Sequence, residues 1–285
     1  MCILFIYRDP EANADSYRLI IASNRDEFFA RPAKPAHYWG KYPYCLGGTD
    51  MEPGREGGTW LAISTKGRVG VTLNLRGETR NSDTPAEGRG FLITDYLVSH
   101  ESTETYLNKL HKINQDTQKY NPYTLVLIEL KDFPMKKEIY YSNRTANVAW
   151  LSSRLESKGP QSCNGNIFGF GNSPVDQPYK KVEVGKEKFK KIVENTSVTQ
   201  QSHLVENLLD FLKWRERHLP DEILKTQSPQ VYPDLSSIFV HSEKAEYGTR
   251  THSILLVDGS GKMTFVEETL MPDRTWKTQN FKAFL

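Results

Sequence analysis

Met1-Cys2-Ile3-Leu4-Phe5-Ile6-Tyr7 and Tyr17-Arg18-Leu19-Ile20-Ile21-Ala22-Ser23, with Asn24-Arg25-Asp26-Glu27-Phe28 running on from the second, form the stretch that decides the fold. Both runs are apolar, β-branched and aromatic, and Arg8-Asp9-Pro10-Glu11-Ala12-Asn13-Ala14 between them is rich in turn formers. Two such runs around a polar break predict a β-hairpin. An antiparallel hairpin returns the end of its second strand to the start of its first. Cys2 and the Asn24–Glu27 cluster are therefore expected at one edge of a sheet, with a thiol beside two carboxylates, a guanidinium and an amide.

That placement has chemical meaning. Removal of Met1, which the small Cys2 side chain permits, would leave Cys2 with a thiol and a free α-amine. Such an amine has a pKa of about 7.7–8.0 and can serve as base for its own thiol. A neighbouring guanidinium, Arg25, is expected to draw the thiol pKa down. Position alone gives Cys2 little specificity, since a second residue that varies freely can also be cysteine.

Working outward, Arg31 to Gly40 reads as a Pro-rich loop, and five glycines in the twelve residues from Gly47 to Gly58 imply tight turns or a closely approached backbone. No GxxxxGK[ST] is present, which weakens a phosphate cradle. Thr59–Ser64 and Arg68–Leu75 around Thr65-Lys66-Gly67 predict a second hairpin. Asn74, near its end, is either a loop-capping amide or a donor aimed into a site. Helices are expected over Gly90–His100 and after Ser102 as N-cap. Tyr123–Leu130 reads as a strand buried on both faces, with Glu138–Ser142 as its partner.

Ile167–Pro174 predicts a short strand ending in a sharp turn that carries Asn172. Two helices follow, one opened by Pro178 and one bearing Leu204, Leu208, Phe211 and Leu212; residues 216–235 read as an irregular connection. Arg250–Val257 and Lys262–Glu267 around Asp258-Gly259-Ser260-Gly261 predict a last hairpin, which Arg250 begins. Strand runs alternate with helix pairs, so the expected class is α+β, antiparallel sheets covered by helices. If the strand ends share an edge, Cys2, Asn74, Asn172 and Arg250 surround one hole as thiol, two amides and a guanidinium. Amides suit an oxyanion, at about 2.7–4 kcal/mol per donor, and Arg250 would hold a carboxylate-like group or position Glu27.

Composition bounds the alternatives. The chain has 285 residues, 38% hydrophobic and 25% charged, with net charge +2 and interspersed charges. With no linker, charge block or repeat, a single domain over 1–285 is expected. Nothing points to nucleic acid or a polybasic membrane patch. Three cysteines (Cys2, Cys45, Cys163) with no CxxC fit a reducing compartment better than a disulfide framework or zinc site. No signal peptide or membrane span is read, so an intracellular, cytoplasmic chain is expected. Seven histidines contain no HxxxH or HExxH, so no metal site is expected. Any one of them could ligate haem iron, which needs a single axial residue. His37, Tyr38, Trp39 and Trp60 could line a flat apolar cleft or simply pack.

The opening Met-Cys, Ser23-Asn24-Arg25-Asp26-Glu27-Phe28, Gly57-Gly58-Thr59-Trp60-Leu61, Gly171-Asn172, Gly248-Thr249-Arg250-Thr251 and Leu256-Val257-Asp258 together resemble the NRDE family, with its transport and Golgi organisation homologues, from end to end. That resemblance implies an N-terminal-nucleophile-hydrolase-like fold, a four-layer αββα sandwich with antiparallel sheets. The chain is also similar, within that wider group, to cysteine-nucleophile bile-salt hydrolases and penicillin V acylases. The similarity implies Cys2 as nucleophile, Glu27 near the catalytic carboxylate, Asn74 and Asn172 as oxyanion amides and Arg250 as the arginine. There are departures: Asn24 stands where those enzymes have an arginine, and the carboxylate is either Asp26 or Glu27. The NRDE resemblance further implies haem trafficking and lipid or acyl-CoA homeostasis in cytosolic, mitochondrial and Golgi-associated pools. On that reading no cofactor is required, and haem or an acyl-CoA-like amphiphile is cargo, held by Asn24, Arg25, Asp26 and Trp60. Membrane contact would be transient. The alternative is a Cys2-dependent amidohydrolase or thioesterase.

Overall fold

A computed structural model describes residues 1–77, 80, 85–131, 145–153, 159–194 and 196–285. In chain order its elements are β1 (Ile3–Arg8), β2 (Tyr17–Phe28), β3 (Ala33–Tyr38), β4 (Cys45–Asp50), β5 (Leu61–Ser64), β6 (Arg68–Asn74), α1 (Gly90–Val98), α2 (Thr103–Thr117), β7 (Tyr123–Lys131), β8 (Thr145–Ser152) and β9 (Gln161–Ser162). They continue with β10 (Ile167–Phe170), α3 (Lys180–Val193), α4 (Gln201–Leu212), α5 (Glu222–Gln227), α6 (Tyr232–Leu235), β11 (His241–Ser242), β12 (Tyr247–Asp258), β13 (Lys262–Leu270) and β14 (Trp276–Phe284). Helices with antiparallel sheets make the class α+β, as expected.

The chain divides into two compact units, Met1–Ala30 with Gly165–Leu285, and Arg31–Lys131 with Thr145–Asn164. In the first, the sheet runs β10-β1-β2-β12-β13-β14, with β11 also paired to β12. The predicted first hairpin is present, Ile3 opposite Asn24 through Arg8 opposite Leu19. Period-two alternation sends Ile3, Phe5, Ile20 and Ala22 to one face, where they join Val182, Phe189, Leu204, Leu208 and Phe211 of α3 and α4 in one apolar cluster. Phe5 packs on both Phe189 and Phe211, at 5.7 and 5.0 Å between centroids. Leu4, Ile6, Leu19 and Ile21, on the other face, are equally buried.

The second unit has the sheet β3-β4-β5-β6-β7-β8-β9. Leu125 and Leu127 of β7 pack with Leu92, Tyr96, Leu107 and Leu110 of α1 and α2. Val126 and Ile128, on the opposite face, are fully buried too, as the unbroken apolar run predicts. Ser102 caps α2 by accepting from the Thr105 amide at 3.1 Å.

Several expectations need correction. Arg31–Gly40 is not a loop but contains β3, whose register with β4 shifts between Lys34 and His37. Pro35, which has no N–H to give the ladder, falls inside that shift. Gly47 and Gly48 lie in β4, where the second alternative, a closely approached backbone, applies: a Cβ on Gly48 would run into the Trp60 ring. Gly54 and Gly57 do make turns, with φ of 78° and 85°. Residues 216–235 hold two short helices, α5 being capped by Asp221, which accepts from the Leu224 amide at 2.9 Å. β7 pairs with β8; the expected partner Glu138–Ser142 lies outside the described residues. β14 was not anticipated.

Candidate functional site

An extended strand turns successive side chains to opposite faces, and β2 does this to Asn24-Arg25-Asp26-Glu27. Asn24 and Asp26 fall on the helix-covered face with Ala22, whereas Arg25 and Glu27 fall on the other. Asn24 is fully buried and its amide nitrogen donates to the Leu212 and Ile238 carbonyls at 2.8 and 3.0 Å. Its oxygen is thus the acceptor toward His252 Nδ1, 2.6 Å away, which fixes the proton on Nδ1. Burial, aided by Lys213, lowers the His252 pKa to about 3, so the ring is neutral. Asn24, read from sequence as a ligand contact, is instead a brace that ties β2 to the end of α4.

Of the two carboxylates, Asp26 is the one that faces the chain start. Its Oδ2 lies 3.1 Å from the Met1 ammonium, both groups being without side-chain exposure. Its Oδ1 accepts from Thr249 at 2.7 Å. The Met1 ammonium also donates to the Tyr247 hydroxyl, which donates to the Asp26 carbonyl at 3.1 Å. The Met1 side chain is part of the apolar cluster. Its carbonyl accepts from the buried Lys181 ammonium at 3.3 Å, and Lys181 also donates to Ser237 O at 3.0 Å. Met1, Tyr247, Thr249 and Lys181 were all missed from sequence. Met1 adjoins Cys2, and Tyr247 and Thr249 lie close to Arg250 in the sequence, whereas Lys181 reaches the Met1 carbonyl only through tertiary contact.

Cys2 directly precedes β1, and its Sγ accepts from the Asp26 amide at 3.4 Å. Burial pushes its thiol pKa up. The Asp26 charge adds to the rise, while the Met1 ammonium, the Asp26 amide and, least, Arg25 oppose it. The expected lowering by Arg25 is real but is outweighed. With Met1 in place, moreover, the nitrogen of Cys2 is an amide and not a base.

On the same side as Cys2, Arg25 stands 3.9 Å from Glu27, whose Oε1 accepts from the Phe28 amide at 2.9 Å. Arg250 does not begin its strand. Thr249 pairs with Asp26 and Thr251 with Arg25, so Arg250 is the extra residue of a β-bulge. Bulges of this kind re-aim a side chain. Arg250 donates to the Phe28 carbonyl at 3.3 Å. Burial lowers its pKa, and the charges of Arg25 and Arg274 lower it further, against Glu27. Asn172 is buried two residues beyond β10; continuing the Leu4–Phe170 register by two positions sets it against Cys2. Asn74 and Trp60 belong to the second unit, Asn74 as the exposed last residue of β6 opposite Tyr123, and Trp60 against Gly48.

The Cys2–Asp26–Arg250 grouping lies within a pattern that extends over the whole chain. The model of the family described as Transport and Golgi organisation 2 matches residues 1–272. The chain belongs to that family. The Transport and Golgi organisation 2 relatives include the Drosophila melanogaster protein "Transport and Golgi organization protein 2", 38% identical over 291 residues that cover 100% of this chain and 99% of the relative. The Homo sapiens "Transport and Golgi organization protein 2 homolog" is 34% identical over 290 residues, again 100% and 99% of the two. Among solved structures the chain is similar to the Caenorhabditis elegans N-acylethanolamine-hydrolyzing acid amidase ortholog, at 11% identity and a TM-score of 0.48, covering 91% of this chain and 93% of that one. Among the described residues of this Transport and Golgi organisation 2 member, no helix is long and apolar enough to cross a membrane.

Proposed function

We propose that this chain is a carrier for an amphiphilic small molecule of the haem or acyl-CoA type, received by its anionic group at Arg25 and Arg250. The observation that carries the reading is the crowding of guanidinium groups. Arg25 and Arg274 both act against the charge on Arg250, and Glu27 acts for it. A carboxylate or phosphate brought to that place relieves the repulsion and gains charge-assisted hydrogen bonds. The groups a hydrolase would use are engaged elsewhere: Asp26 faces the Met1 ammonium, and the Cys2 thiol is held protonated by burial. The haem and acyl-CoA candidates, and residence in the cytosol with mitochondrial and Golgi-associated pools, come from the family resemblance. Titration of the pure chain with haemin and with palmitoyl-CoA tests the proposal. Saturable binding of one of them, weakened by Arg250→Gln, supports it; no saturable binding of either sinks it.

A second reading, hydrolysis of an acyl amide or thioester through Cys2, is favoured by two contacts. The thiol already lies 3.4 Å from a main-chain N–H, and a carboxylate is already seated against an N-terminal ammonium. It requires loss of Met1. Intact-protein mass measurement decides that, and turnover abolished by Cys2→Ser would establish the mechanism.

A further inference from the structure

A sheet ends in strands with unpaired backbone, and natural edges are kept from pairing by short length, proline or bulges. Among the described residues, β9 has two residues and β10 four, and β3 carries Pro35 within its register shift. β14, the last strand in the order β10-β1-β2-β12-β13-β14, has none of these guards. It has nine residues without proline, paired to β13 with no shift from Leu270 opposite Trp276 to Lys262 opposite Phe284.

Hydrogen bonds at the two ends of β14 fix which of its groups point outward. The Met271 amide donates to the Thr275 carbonyl at 2.8 Å, and the Leu285 amide to the Gly261 carbonyl at 3.0 Å. Bonded and non-bonded pairs alternate along an antiparallel ladder, so the odd-numbered residues of β14 turn their N–H and C=O toward β13. Trp276, Thr278, Asn280, Lys282 and Phe284 turn theirs outward, where no strand among the described residues meets them. All five are exposed. Trp276 and Phe284, both large and apolar, are 39% and 64% exposed. The Trp276 ring is held in place by stacking on His252, at 4.8 Å between centroids.

We propose that β14 pairs antiparallel with β14 of a second copy of this chain, about a two-fold axis at Asn280, so that one sheet runs through both copies. Such pairing joins outward residue to outward residue, and centring on Asn280 uses all five. Trp276 then lies opposite Phe284 of the second copy, Thr278 opposite Lys282, and Asn280 opposite itself. Each exposed aromatic end finds an aromatic partner on its own face. On the other face Lys277 meets Ala283, and Gln279 meets Phe281. Lysine on an edge strand commonly guards against pairing, but Lys277 and Lys282 fall on opposite faces and neither stands opposite a lysine. Moving the axis to Gln279 or to Phe281 leaves Phe284 or Trp276, respectively, with no opposite residue in the strand. The same patch serves both copies, as a closed two-fold dimer requires. Nothing in this pairing uses Arg25 or Arg250, so it stands or falls apart from the carrier reading.

Sedimentation velocity of the full chain, from about 1 to 100 µM, is expected to show a monomer–dimer equilibrium. Asn280→Pro removes an outward N–H at the axis and spares the ladder to β13; it should weaken the dimer at least about tenfold. Asn280→Lys and Asn280→Asp each set like charges face to face and should weaken their own dimers about fivefold. An equal mixture of those two should associate at least as tightly as the unaltered chain. That restoration belongs to this register alone: with the axis at Phe281, position 280 would face Lys282, and Asn280→Asp would tighten its own dimer. Should Asn280→Pro fail to fold, the two charged variants decide alone. A chain monomeric throughout, which would leave the edge to a strand of another protein, overturns the proposal. So does a dimer indifferent to the Asn280 variants, or a mixture no tighter than either charged variant by itself.

Discussion

At the scale of single residues, the first unit is dominated by buried charge that is paired and by buried rings that are neutral. The Asp26 carboxylate and the Met1 ammonium have no side-chain exposure and face one another at 3.1 Å. Removing one member of such a pair leaves the other charged in a dry place, at a cost of about 3–5 kcal/mol. Asp26→Asn is therefore expected to lower the urea unfolding free energy by about 3 kcal/mol. Thr249→Val, which loses a single hydrogen bond to the same carboxylate, should cost about 1 kcal/mol. Equal losses would mean that the ammonium is not held by Asp26. His252 behaves in the opposite sense. Its pKa in the fold is about 3, whereas an unfolded histidine protonates near about 6.5. Between those values the unfolded chain binds a proton that the folded chain refuses. Stability is thus complete above about 6.5 and falls as pH drops, by about 1.4 kcal/mol per unit for that one proton. Lys213, which adds to the depression, is itself paired with Glu268 at 2.8 Å. Urea midpoints at pH 7, 6, 5 and 4 should slope less in His252→Gln than in the unaltered chain; identical slopes would show an imidazole already charged.

At the scale of elements, local chemistry explains what forms and tertiary contact explains what sequence reading misses. The Ser102 cap is local, and Ser102→Ala should cost about 1 kcal/mol by chemical denaturation. α5 has the same kind of signal in Asp221, which a reading dominated by the nearby prolines overlooks. β3 and β4 are different. Pro32, Pro35 and paired glycines speak for loop, yet the strands form because Pro35 sits in a register shift and because Trp60 needs a backbone without Cβ beside it. Gly48→Ala should accordingly destabilise the second unit, since the added Cβ forces the Trp60 ring off the strand, and hydrogen exchange would localise the loss to β4 and β5. β14 is an edge strand whose half-buried positions, Gln279, Phe281 and Ala283, alternate with exposed ones. A strand with so little apolar content announces itself only by that alternation.

For the molecule as a whole, the α+β class and the meeting of Cys2 with the Asn24–Glu27 tetrad were readable, because hairpins fix which ends of which strands coincide. The division of the tetrad between two faces follows from the same periodicity once the strand is known to run to Phe28. The place of Arg250 was not readable. No residue near it is a glycine in a left-handed conformation or any other usual mark of an irregular ladder, and only the pairing of Thr249 with Asp26 and Thr251 with Arg25 exposes it. This has a consequence for how the protein can be cut. The chain carries one rung too many at that point: excising Arg250 outright would let Thr249 keep Asp26 and Thr251 keep Arg25, now as neighbours in an even ladder. The shortened protein, one residue below the 285 of this chain, should melt near the parent temperature, and on the carrier proposal it should bind haemin and palmitoyl-CoA more weakly. An ordinary strand residue cannot be dropped so cheaply, because every side chain beyond the gap would face the wrong way.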